Sequence, residues 1–568
     1  MNTVKANNIP RPEFPNPQFR RAQWLNLNGE WEYATDRGMS GEARGLHKAS
    51  SLPERITVPF CRESVLSGIG DVDFCDACWY LRKIEVTAEQ LKGRVHLHIG
   101  ACDFITRLWV NGEFIGSHRG GYISFSFDIT SALREGENTV VIGVTDQLRT
   151  GNQPSGKQSK RYASYGCLYT RTTGIWQTVW LEYTPISYIK AFRLTPDVDA
   201  KKLYVEATCQ DANGMTLVAN AKYDGRDVGT ASAAVKGFTA RLELAIDELH
   251  LWEVGQGRLY DLELTLGDDK VSSYFGMRHI ACVDGGLVLN GRKVFQRLVL
   301  DQGFYPDGIY TAPTEQELIA DIERSMAMGF NGARLHEKIF EPLFLYHCDR
   351  LGYIVWGEHA NWGLDISRHE AWQGFMPEWV EAVNRDYNHP AIIGWCPLNE
   401  TQKSQNPEFV KFLGAVTKSI DSTRLYIDAS GWTHVKGVSD ILDLHCYEQN
   451  PEKFAERLAP INNGEAIDLR NDFWGIPTFV SEYGGIRWAP NMEGWGYGEA
   501  PGTEEEFIER FKGLTNAILS NPVMTALCYT QLTDVEQEVN GLYTYSRIAK
   551  FDPEIFKAIL SVRAAYEE

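Results

Sequence analysis

The sequence predicts a multidomain protein in which two β-sandwiches precede a C-terminal (β/α)8 TIM barrel. Three observations support this fold class. The 568 residues exceed what a single core normally accommodates. Short alternating runs typical of antiparallel sheets fill the first half, and strand-like runs alternate with helical ones after residue 282. We therefore place an N-terminal jelly-roll β-sandwich at residues 1–185, an immunoglobulin-like β-sandwich at 186–282 and the barrel at 283–568.

The first predicted domain alternates apolar and polar side chains in short runs bounded by turn residues. Residues 94–99 (RVHLHI), 106–110 (TRLWV) and 122–127 (YISFSF) follow this pattern, and Asn111-Gly112 comes directly after the second run. Asn-Gly after an alternating run is a strong hairpin signal. These runs predict an antiparallel sandwich.

The second predicted domain continues the same pattern over a shorter stretch. Residues 202–208 (KLYVEAT) and 260–265 (YDLELT) alternate in the same way. A length of roughly 100 residues suits an immunoglobulin-like sandwich.

The third predicted domain alternates strands with helices. Thr314 and Glu317 form a capping box before an apolar stripe with helical spacing, which Gly329 ends. Pro342 stands where the first turn of a helix tolerates proline. Eight strand candidates lie between such helices: residues 294–300, 333–336, 353–357, 391–398, 425–429, 442–447, 478–483 and 525–532.

Eight strand-then-helix units in fewer than 290 residues match a (β/α)8 barrel. A doubly wound open sheet is the alternative, but it usually has fewer strands and a glycine-rich first turn, which this sequence lacks. In a barrel the working face is formed by the C-terminal ends of the strands.

Composition limits the classes of partner. Hydrophobic residues make up 43% and charged residues 23% of the chain, which is typical of globular proteins, and the net charge of −19 disfavours nucleic acid as a partner. Residues 1–15 lack the apolar core of a signal peptide, and no apolar run approaches the roughly 20 residues of a membrane span. We expect no membrane association, a cytoplasmic location and possible homo-oligomers.

The eleven cysteines show no disulfide framework, and their odd number suits reduced thiols in a cytosol. Cys75 and Cys78 have the spacing of half a zinc site, but no second pair follows at a matching distance. We therefore predict neither a metal nor a cofactor.

Polar side chains close most of the predicted barrel strands. Glu400 ends the fourth and Glu482 the seventh, so both would lie at one mouth. A carboxyl pair of this kind serves glycoside cleavage, in which one group protonates the leaving oxygen and the other meets the oxocarbenium ion. Two structural ion pairs are the alternative. A metallohydrolase is a further alternative, although His336, His359 and His445 lack the clear spacing of metal ligands.

Three motifs carry a resemblance to one enzyme family: residues 386–400 (DYNHPAIIGWCPLNE), 479–484 (FVSEYG) and 173–182 (TGIWQTVWLE). In that order they resemble the acid/base signature, the nucleophile strand and the closing strand of the sugar-binding jelly roll of glycoside hydrolase family 2. This family contains β-galactosidases, β-glucuronidases and β-mannosidases. The resemblance covers nearly the whole chain.

This resemblance implies a role for each matching residue. Glu400 would be the general acid/base and Glu482 the nucleophile of a retaining mechanism, with the carboxyls ~5–5.5 Å apart. Asn399 would bind the sugar 2-hydroxyl, and Tyr447 would hold the nucleophile. We also expect a raised pKa for Glu400, as an acid requires, beside an ionised Glu482. Further pocket residues would be Asp301, His336, Glu358, His445 and Trp488.

Two departures from the family pattern concern the sugar. Residues 334–337 read RLHE where many members carry His-Tyr-Pro. The uronate-binding Asn-x-Lys element of β-glucuronidases would fall near residues 538–540 (EVN), which lack the lysine, and Glu538 would repel a carboxylate. The sequence therefore predicts an exo-β-glycosidase for a neutral sugar.

Galactose is the favoured sugar, because residues 298–302 (LVLDQ) and 529–534 (YTQLTD) resemble the galactosidase branch. Mannose and arabinopyranose remain open, and a glucuronide is the least favoured. Outside the enzymes, a non-catalytic carbohydrate-binding protein would suit the two sandwiches and the aromatic content, and a structural or adhesion protein is a third class. Both glutamates of the pair are present, which favours the enzyme.

Overall fold

The computed structural model describes residues 9–465, 477–490 and 493–567, and it contains two β-sandwiches followed by a barrel. The predicted fold class is confirmed. The burial pattern of the strands distinguishes a sandwich from the barrel. Residues 202–210 of the second sandwich bury alternate side chains, whereas residues 392–396 of the barrel are buried along their whole length, as parallel strands covered by helices must be.

The first domain consists of a four-stranded sheet with the order β1-β12-β5-β9 and a six-stranded sheet with the order β3-β2-β4-β10-β7-β8. Its strands are β1 (Trp24–Asn26), β2 (Gly29–Thr35), β3 (Glu54–Val58), β4 (Ala77–Val86), β5 (Arg94–Ile99), β6 (Cys102–Asp103), β7 (Ile105–Val110), β8 (Glu113–Arg119), β9 (Phe125–Asp128), β10 (Gly136–Thr145), β11 (Gly174–Ile175) and β12 (Val179–Thr184).

One predicted strand of this domain is shorter than expected. The run over residues 122–127 becomes a strand only from Phe125. The Tyr122 backbone N–H instead donates to the Glu378 carboxylate of the barrel domain at 2.6 Å, and the Tyr122 side chain is buried in the barrel core. A contact between domains therefore replaces sheet pairing at this position.

The second domain has a three-stranded sheet, β13-β14-β17, and a four-stranded sheet, β16-β15-β18-β19. A small sheet, β20-β21-β22, leads into the barrel. The strands are β13 (Tyr188–Asp197), β14 (Lys202–Gln210), β15 (Thr216–Tyr223), β16 (Arg226–Ala234), β17 (Thr239–Ala245), β18 (Tyr260–Leu266), β19 (Asp269–Phe275), β20 (Ile280–Val283), β21 (Gly286–Leu289) and β22 (Arg292–Lys293).

The barrel sheet contains eight parallel strands in the order β28-β26-β25-β24-β23-β32-β31-β30, and each corresponds to one predicted strand. A short parallel pair, β27-β29, extends the fourth and fifth strands at the mouth. The strands are β23 (Gln296–Asp301), β24 (Gly332–Leu335), β25 (Ile354–Glu358), β26 (Ile392–Cys396), β27 (Leu398–Asn399), β28 (Leu425–Tyr426), β29 (Ala429–Ser430), β30 (Asp443–Cys446), β31 (Phe479–Gly484) and β32 (Ala526–Thr530).

Helices surround these strands. The predicted capping residue Thr314 accepts a hydrogen bond from the Glu317 backbone N–H at the start of α1, and Pro342 opens α2, as expected. The helices are α1 (Glu315–Ala327), α2 (Pro342–Leu351), α3 (His369–Asp386), α4 (Pro407–Ile420), α5 (Pro451–Leu458), α6 (Glu504–Leu519) and α7 (Pro553–Leu560).

All eleven cysteines lie in the described ranges, and none of them forms a disulfide. Among the helices described, none is long and apolar enough to cross a membrane. A cytoplasmic location and a homo-oligomeric state stay predictions.

Candidate active site

The C-terminal ends of the barrel strands bring most of the predicted site residues together. Glu400 follows β27, Glu482 lies in β31, and one carboxylate oxygen of each lies within 4.8 Å of the other. The Glu482 side chain is 5% exposed and that of Glu400 15%. Two largely buried carboxylates therefore face each other across a short gap at the barrel mouth.

Glu400 adopts an unusual backbone conformation. Its φ is +50°, in the left-handed region that disfavours side chains, and its backbone N–H donates to the Ser430 carbonyl at 2.9 Å. Left-handed non-glycine residues persist where the surrounding structure holds them, and they concentrate at functional sites. The β27-β29 pair supplies this support.

Glu482 is held by a cation and a hydroxyl. Arg334 Nη1 lies 3.2 Å from its Oε1, and the Tyr447 hydroxyl donates to its Oε2 at 2.5 Å. The Tyr447 ring stacks on Tyr497, with ring centres 3.4 Å apart. Both oxygens of the buried carboxylate are thus fixed in position.

Arg334 links Glu482 to the next predicted pocket residues. Its Nε donates to Glu358 Oε1 at 2.6 Å, and Glu358 Oε2 lies 3.1 Å from His336 Nδ1. Burial, together with the positive charge of Lys157, lowers the pKa of His336 well below its ordinary value, so its imidazole is neutral. A proton on Nδ1 donated to Glu358 leaves His336 Nε2, 4.0 Å from Glu482, as an acceptor.

Asn399 is fixed on three sides and open on one. Its Oδ1 accepts from Arg334 Nη2 at 3.3 Å, and its backbone N–H donates to Asn361 Oδ1 at 2.7 Å. Its carbonyl accepts from Trp362 Nε1 at 3.3 Å. Its buried Nδ2 has no partner among the described residues. The amide therefore has an N–H group available for a ligand oxygen.

His445 bridges the two glutamates. Its Nδ1 lies 2.8 Å from Glu400 Oε1 and 3.4 Å from Glu482 Oε2, while its Nε2 lies 3.1 Å from the Ser430 hydroxyl. Gly431 makes room for the ring, because its φ is +82° and a Cβ there would lie 2.2 Å from the imidazole. The position of the ring is therefore determined by its neighbours.

The pKa of Glu400 shifts in the opposite direction to our expectation. Burial raises it, but the hydrogen bond and charge of His445 and the charges of Lys157 and Arg334 outweigh burial, and the pKa lies below its ordinary value. The sequence-based expectation of a raised pKa is wrong for the unliganded site, because His445, Lys157 and Arg334 all lower the pKa of this carboxyl.

Two predicted pocket residues lie outside this network. The Asp301 carboxylate accepts a hydrogen bond from the Gly303 backbone at 2.9 Å, and burial together with nearby Asp321 raises its pKa to about 6. The described ring contacts of Trp488 are with Phe507 and Phe551, at about 6 Å between ring centres. Among the described residues, no ring contact or hydrogen bond joins Trp488 to either glutamate, and the strand-end pattern says nothing of how a ring beyond the strand packs.

A segment of the first domain also reaches the barrel mouth, which the sequence did not suggest. Residues 151–173, here called the insertion loop, connect β10 to β11. Ser155 N donates to the Trp362 carbonyl at 2.8 Å, and the Tyr169 hydroxyl donates to the Glu538 carboxylate. The only available signal was the length of the loop, since long loops in compact domains are often functional.

One group of side chains in the described part of the chain could hold a metal ion, and it lies at this same site. Among the described residues, the one group of three acidic, histidine or cysteine side chains with ligand atoms within 4.8 Å of one another is Glu400, His445 and Glu482. A cation bound there would occupy both carboxylates and the imidazole that joins them.

Comparison with known families agrees with this architecture. The model of the glycosyl hydrolases family 2 sugar binding domain matches residues 71–185, that of glycosyl hydrolases family 2 matches residues 187–278, and that of the family 2 TIM barrel domain matches residues 311–485. The three matched segments follow the order of the three structural domains.

The similar proteins include some that are named β-glucuronidase and others that are named β-galactosidase. A Formosa agariphila protein provisionally named β-glucuronidase is 29% identical over 57% of this chain and 39% of its own length. A Lactococcus lactis β-galactosidase is 27% identical over 65% of this chain and 36% of its own length. The chain thus spans about two fifths of the length of these relatives.

The similarity in fold to solved structures extends over nearly the full length of both chains. A Lactobacillus rhamnosus β-glucuronidase structure superposes with a TM-score of 0.82 at 19% identity, covering 97% of this chain and 99% of that one. Since the three matching models occur in family order and each lies within one of the three domains described above, the chain belongs to glycoside hydrolase family 2.

Proposed function

We propose that this protein is a retaining exo-β-glycosidase. The observation that supports this most is the Glu400–Glu482 pair, whose carboxylate oxygens lie within 4.8 Å at the barrel mouth. Inverting enzymes need a water between the carboxyls and separate them by ~6.5–9.5 Å, whereas retaining enzymes keep them ~5–5.5 Å apart. The insertion loop closes one side of the mouth, which suits a terminal sugar rather than the middle of a polymer.

The proposed first step is attack by a Glu482 oxygen on the anomeric carbon while Glu400 gives its proton to the departing oxygen. Arg334 and Tyr447 hold the two oxygens of Glu482 in position for this attack. In the second step Glu400 takes a proton from water, which attacks the glycosyl-enzyme and frees Glu482. The net configuration at the anomeric carbon is retained.

We expect Asn399→Ala to cost about 2–4 kcal/mol of transition-state stabilisation, because its unpartnered Nδ2 is the available donor for the sugar 2-hydroxyl. The comparison is kcat/KM for a glycoside and for its 2-deoxy analogue in both proteins. The wild type should favour the hydroxylated substrate strongly, and the variant should not. An unchanged preference would show that Asn399 does not contact this hydroxyl.

We expect His445→Asn to move the alkaline limb of the kcat/KM profile to higher pH. That limb reports loss of the Glu400 proton in the free enzyme, and His445 is the main group that lowers the pKa of Glu400. Asparagine can donate a hydrogen bond but carries no charge. His279→Asn, at an exposed position, is the control. A limb that stays in place would mean that another group determines it.

For the sugar, we favour a β-D-glucuronide over a β-D-galactoside. The relatives include proteins of both names, and β-glucuronidases recur among the sequence and structure matches. The sequence-based preference for galactose relied on repulsion by Glu538. The Glu538 carboxylate accepts from the Tyr169 hydroxyl and from Asn540 Nδ2 at 2.9 Å, and burial raises its pKa, so this repulsion is weakened.

A β-galactosidase is the second candidate, supported by the Lactococcus lactis relative. A panel of 4-nitrophenyl glycosides tests both: the β-D-glucuronide, β-D-galactoside, β-D-mannoside and α-L-arabinopyranoside. Strongest hydrolysis of the glucuronide supports the proposal, and strongest hydrolysis of the galactoside supports the second candidate. Hydrolysis of none of them would favour a protein that binds sugars without cleaving them.

A further inference from the structure

One lysine of the first domain lies at the barrel mouth and forms no ion pair with any of the described residues. Lys157 belongs to the insertion loop, and only 6% of its surface is exposed. Its ammonium lies 3.8 Å from the centre of the Trp362 ring, and the indole N–H of Trp362 donates to the Asn399 carbonyl. This geometry places a buried cation next to the segment that carries Asn399 and Glu400.

Contacts with the barrel hold the insertion loop in place on the N-terminal side of Lys157. The backbone N–H groups of Ser155 and Gly156 donate to the Trp362 carbonyl at 2.8 and 3.1 Å. Gly156 has a φ of +52°, and a Cβ there would lie 2.4 Å from the Glu337 carbonyl oxygen. Glycine allows the loop to approach the barrel closely one residue before the lysine.

The other side of the loop is held by the turn after β32. Gln537 donates to the Gly166 carbonyl at 2.7 Å, and Thr170 N donates to the Glu536 carboxylate at 3.0 Å. The Tyr169 hydroxyl donates to Glu538. The loop is therefore anchored to the barrel at both ends, and Lys157 lies between the anchors as a fixed part of the mouth.

The neighbouring cations are already committed to protein groups. Arg334 pairs with Glu358 and Glu482, and the Lys338 ammonium donates to two carbonyls, those of Gly303 and Tyr310. In contrast, no carboxylate oxygen of the described residues lies within 4.0 Å of the Lys157 ammonium. Buried lysines are almost always paired, so an unpaired one at a site mouth calls for an anionic partner from outside the chain.

The electrostatic field of the neighbouring acidic groups keeps the Lys157 ammonium charged. Burial lowers the pKa of Lys157, but Cys167 and the Glu538, Glu482 and Glu400 carboxylates outweigh it and raise the pKa above its ordinary value. Among the carboxylates that raise this pKa, Glu538 has the largest effect, and it is already hydrogen-bonded to Tyr169 and Asn540. The positive charge is therefore present at neutral pH and free to pair with a ligand.

We propose that Lys157 binds a carboxylate carried by the substrate's sugar ring and so selects uronic acid glycosides over neutral ones. The inference rests on the proposed glycosidase function and adds the residue that determines the charge of its substrate. Lys157 belongs to the first domain, so a residue of the sandwich contributes to the substrate specificity of the active site in the barrel. The Trp362 ring holds the stem and ammonium in place without neutralising the charge.

The test compares Lys157→Met with the wild type on 4-nitrophenyl β-D-glucuronide and on the β-D-galactoside, each at its pH optimum. We expect the ratio of kcat/KM for the uronide to that for the galactoside to fall at least about 100-fold, mainly through KM. Lys157→Arg should keep part of the preference. Lys160→Met, at an exposed position of the same loop, should leave the ratio unchanged.

A binding measurement keeps the test independent of turnover and of folding. Calorimetry with the Glu482→Gln protein should show D-glucuronic acid binding more tightly than D-glucose, and adding Lys157→Met should remove this difference while the thermal unfolding midpoint confirms a folded chain. An unchanged ratio, or an equal loss for both sugars, overturns the inference. A wild type that cleaves only neutral glycosides overturns it too but leaves the proposed glycosidase intact, whereas hydrolysis of no glycoside overturns the proposed function.

Discussion

Replacing Glu482 by glutamine is expected to lower kcat by about 10⁴-fold or more on every substrate that the protein cleaves. The amide has nearly the shape of the carboxylate but cannot form the glycosyl ester, so the two-step route is lost. Both oxygens of Glu482 are already held, one by Arg334 and the other by Tyr447. The measurement is pre-steady-state hydrolysis of an activated aryl glycoside in excess, in which the wild type should release aryl alcohol in a burst and the variant should not.

The control for this variant is Glu456→Gln, which makes the same chemical change at an exposed position of α5. Glu482→Gln leaves Arg334 paired with Glu358, so we expect the protein to remain folded, and the thermal unfolding midpoint of each variant verifies this. Near-normal turnover by a folded Glu482→Gln protein would show that another group is the nucleophile.

The barrel could be predicted from the sequence because its strands are buried on both faces. Residues 391–398 are a continuous apolar or small run, residues 478–481 are apolar or small before Glu482, and both segments became strands of the parallel sheet. Where contacts between domains decide the conformation, the pattern failed. The strand expected from Tyr122 begins only at Phe125, because Glu378 of the barrel takes the Tyr122 backbone N–H.

In the candidate site, too, the residues that follow from the local strand pattern could be predicted, and those brought in from distant parts of the chain could not. Asn399, Glu400 and Glu482 could be proposed because residues at the C-terminal ends of parallel strands converge in a barrel. The sequence could not place Lys157, which comes from another domain more than 200 residues away along the chain. The lowered pKa of Glu400 was missed for the same reason, since Lys157 and His445 both contribute to it.

Replacing Glu400 by alanine is expected to affect substrates according to their leaving groups. General acid catalysis contributes about 10²–10⁴-fold, and poor leaving groups such as alkyl alcohols should lose all of it. Dinitrophenolate departs without a proton, so glycosylation of Glu482 should remain fast while its hydrolysis, which needs Glu400 as a base, becomes slow. The measurement is kcat and kcat/KM across a series of aryl glycosides, with Glu408→Ala on α4 as the exposed control.

Azide then separates the roles of the two glutamates. As an anion that needs no base, azide should attack the glycosyl-enzyme of Glu400→Ala, restore kcat on the dinitrophenyl substrate and give a β-glycosyl azide. In Glu482→Ala the space left by the nucleophile admits azide to the opposite face, so the product should be the α-glycosyl azide. Since the two carboxylates lie within 4.8 Å but approach the anomeric carbon from different sides, product configuration assigns each role independently of rate. An azide product of the same configuration from both variants would contradict the assignment.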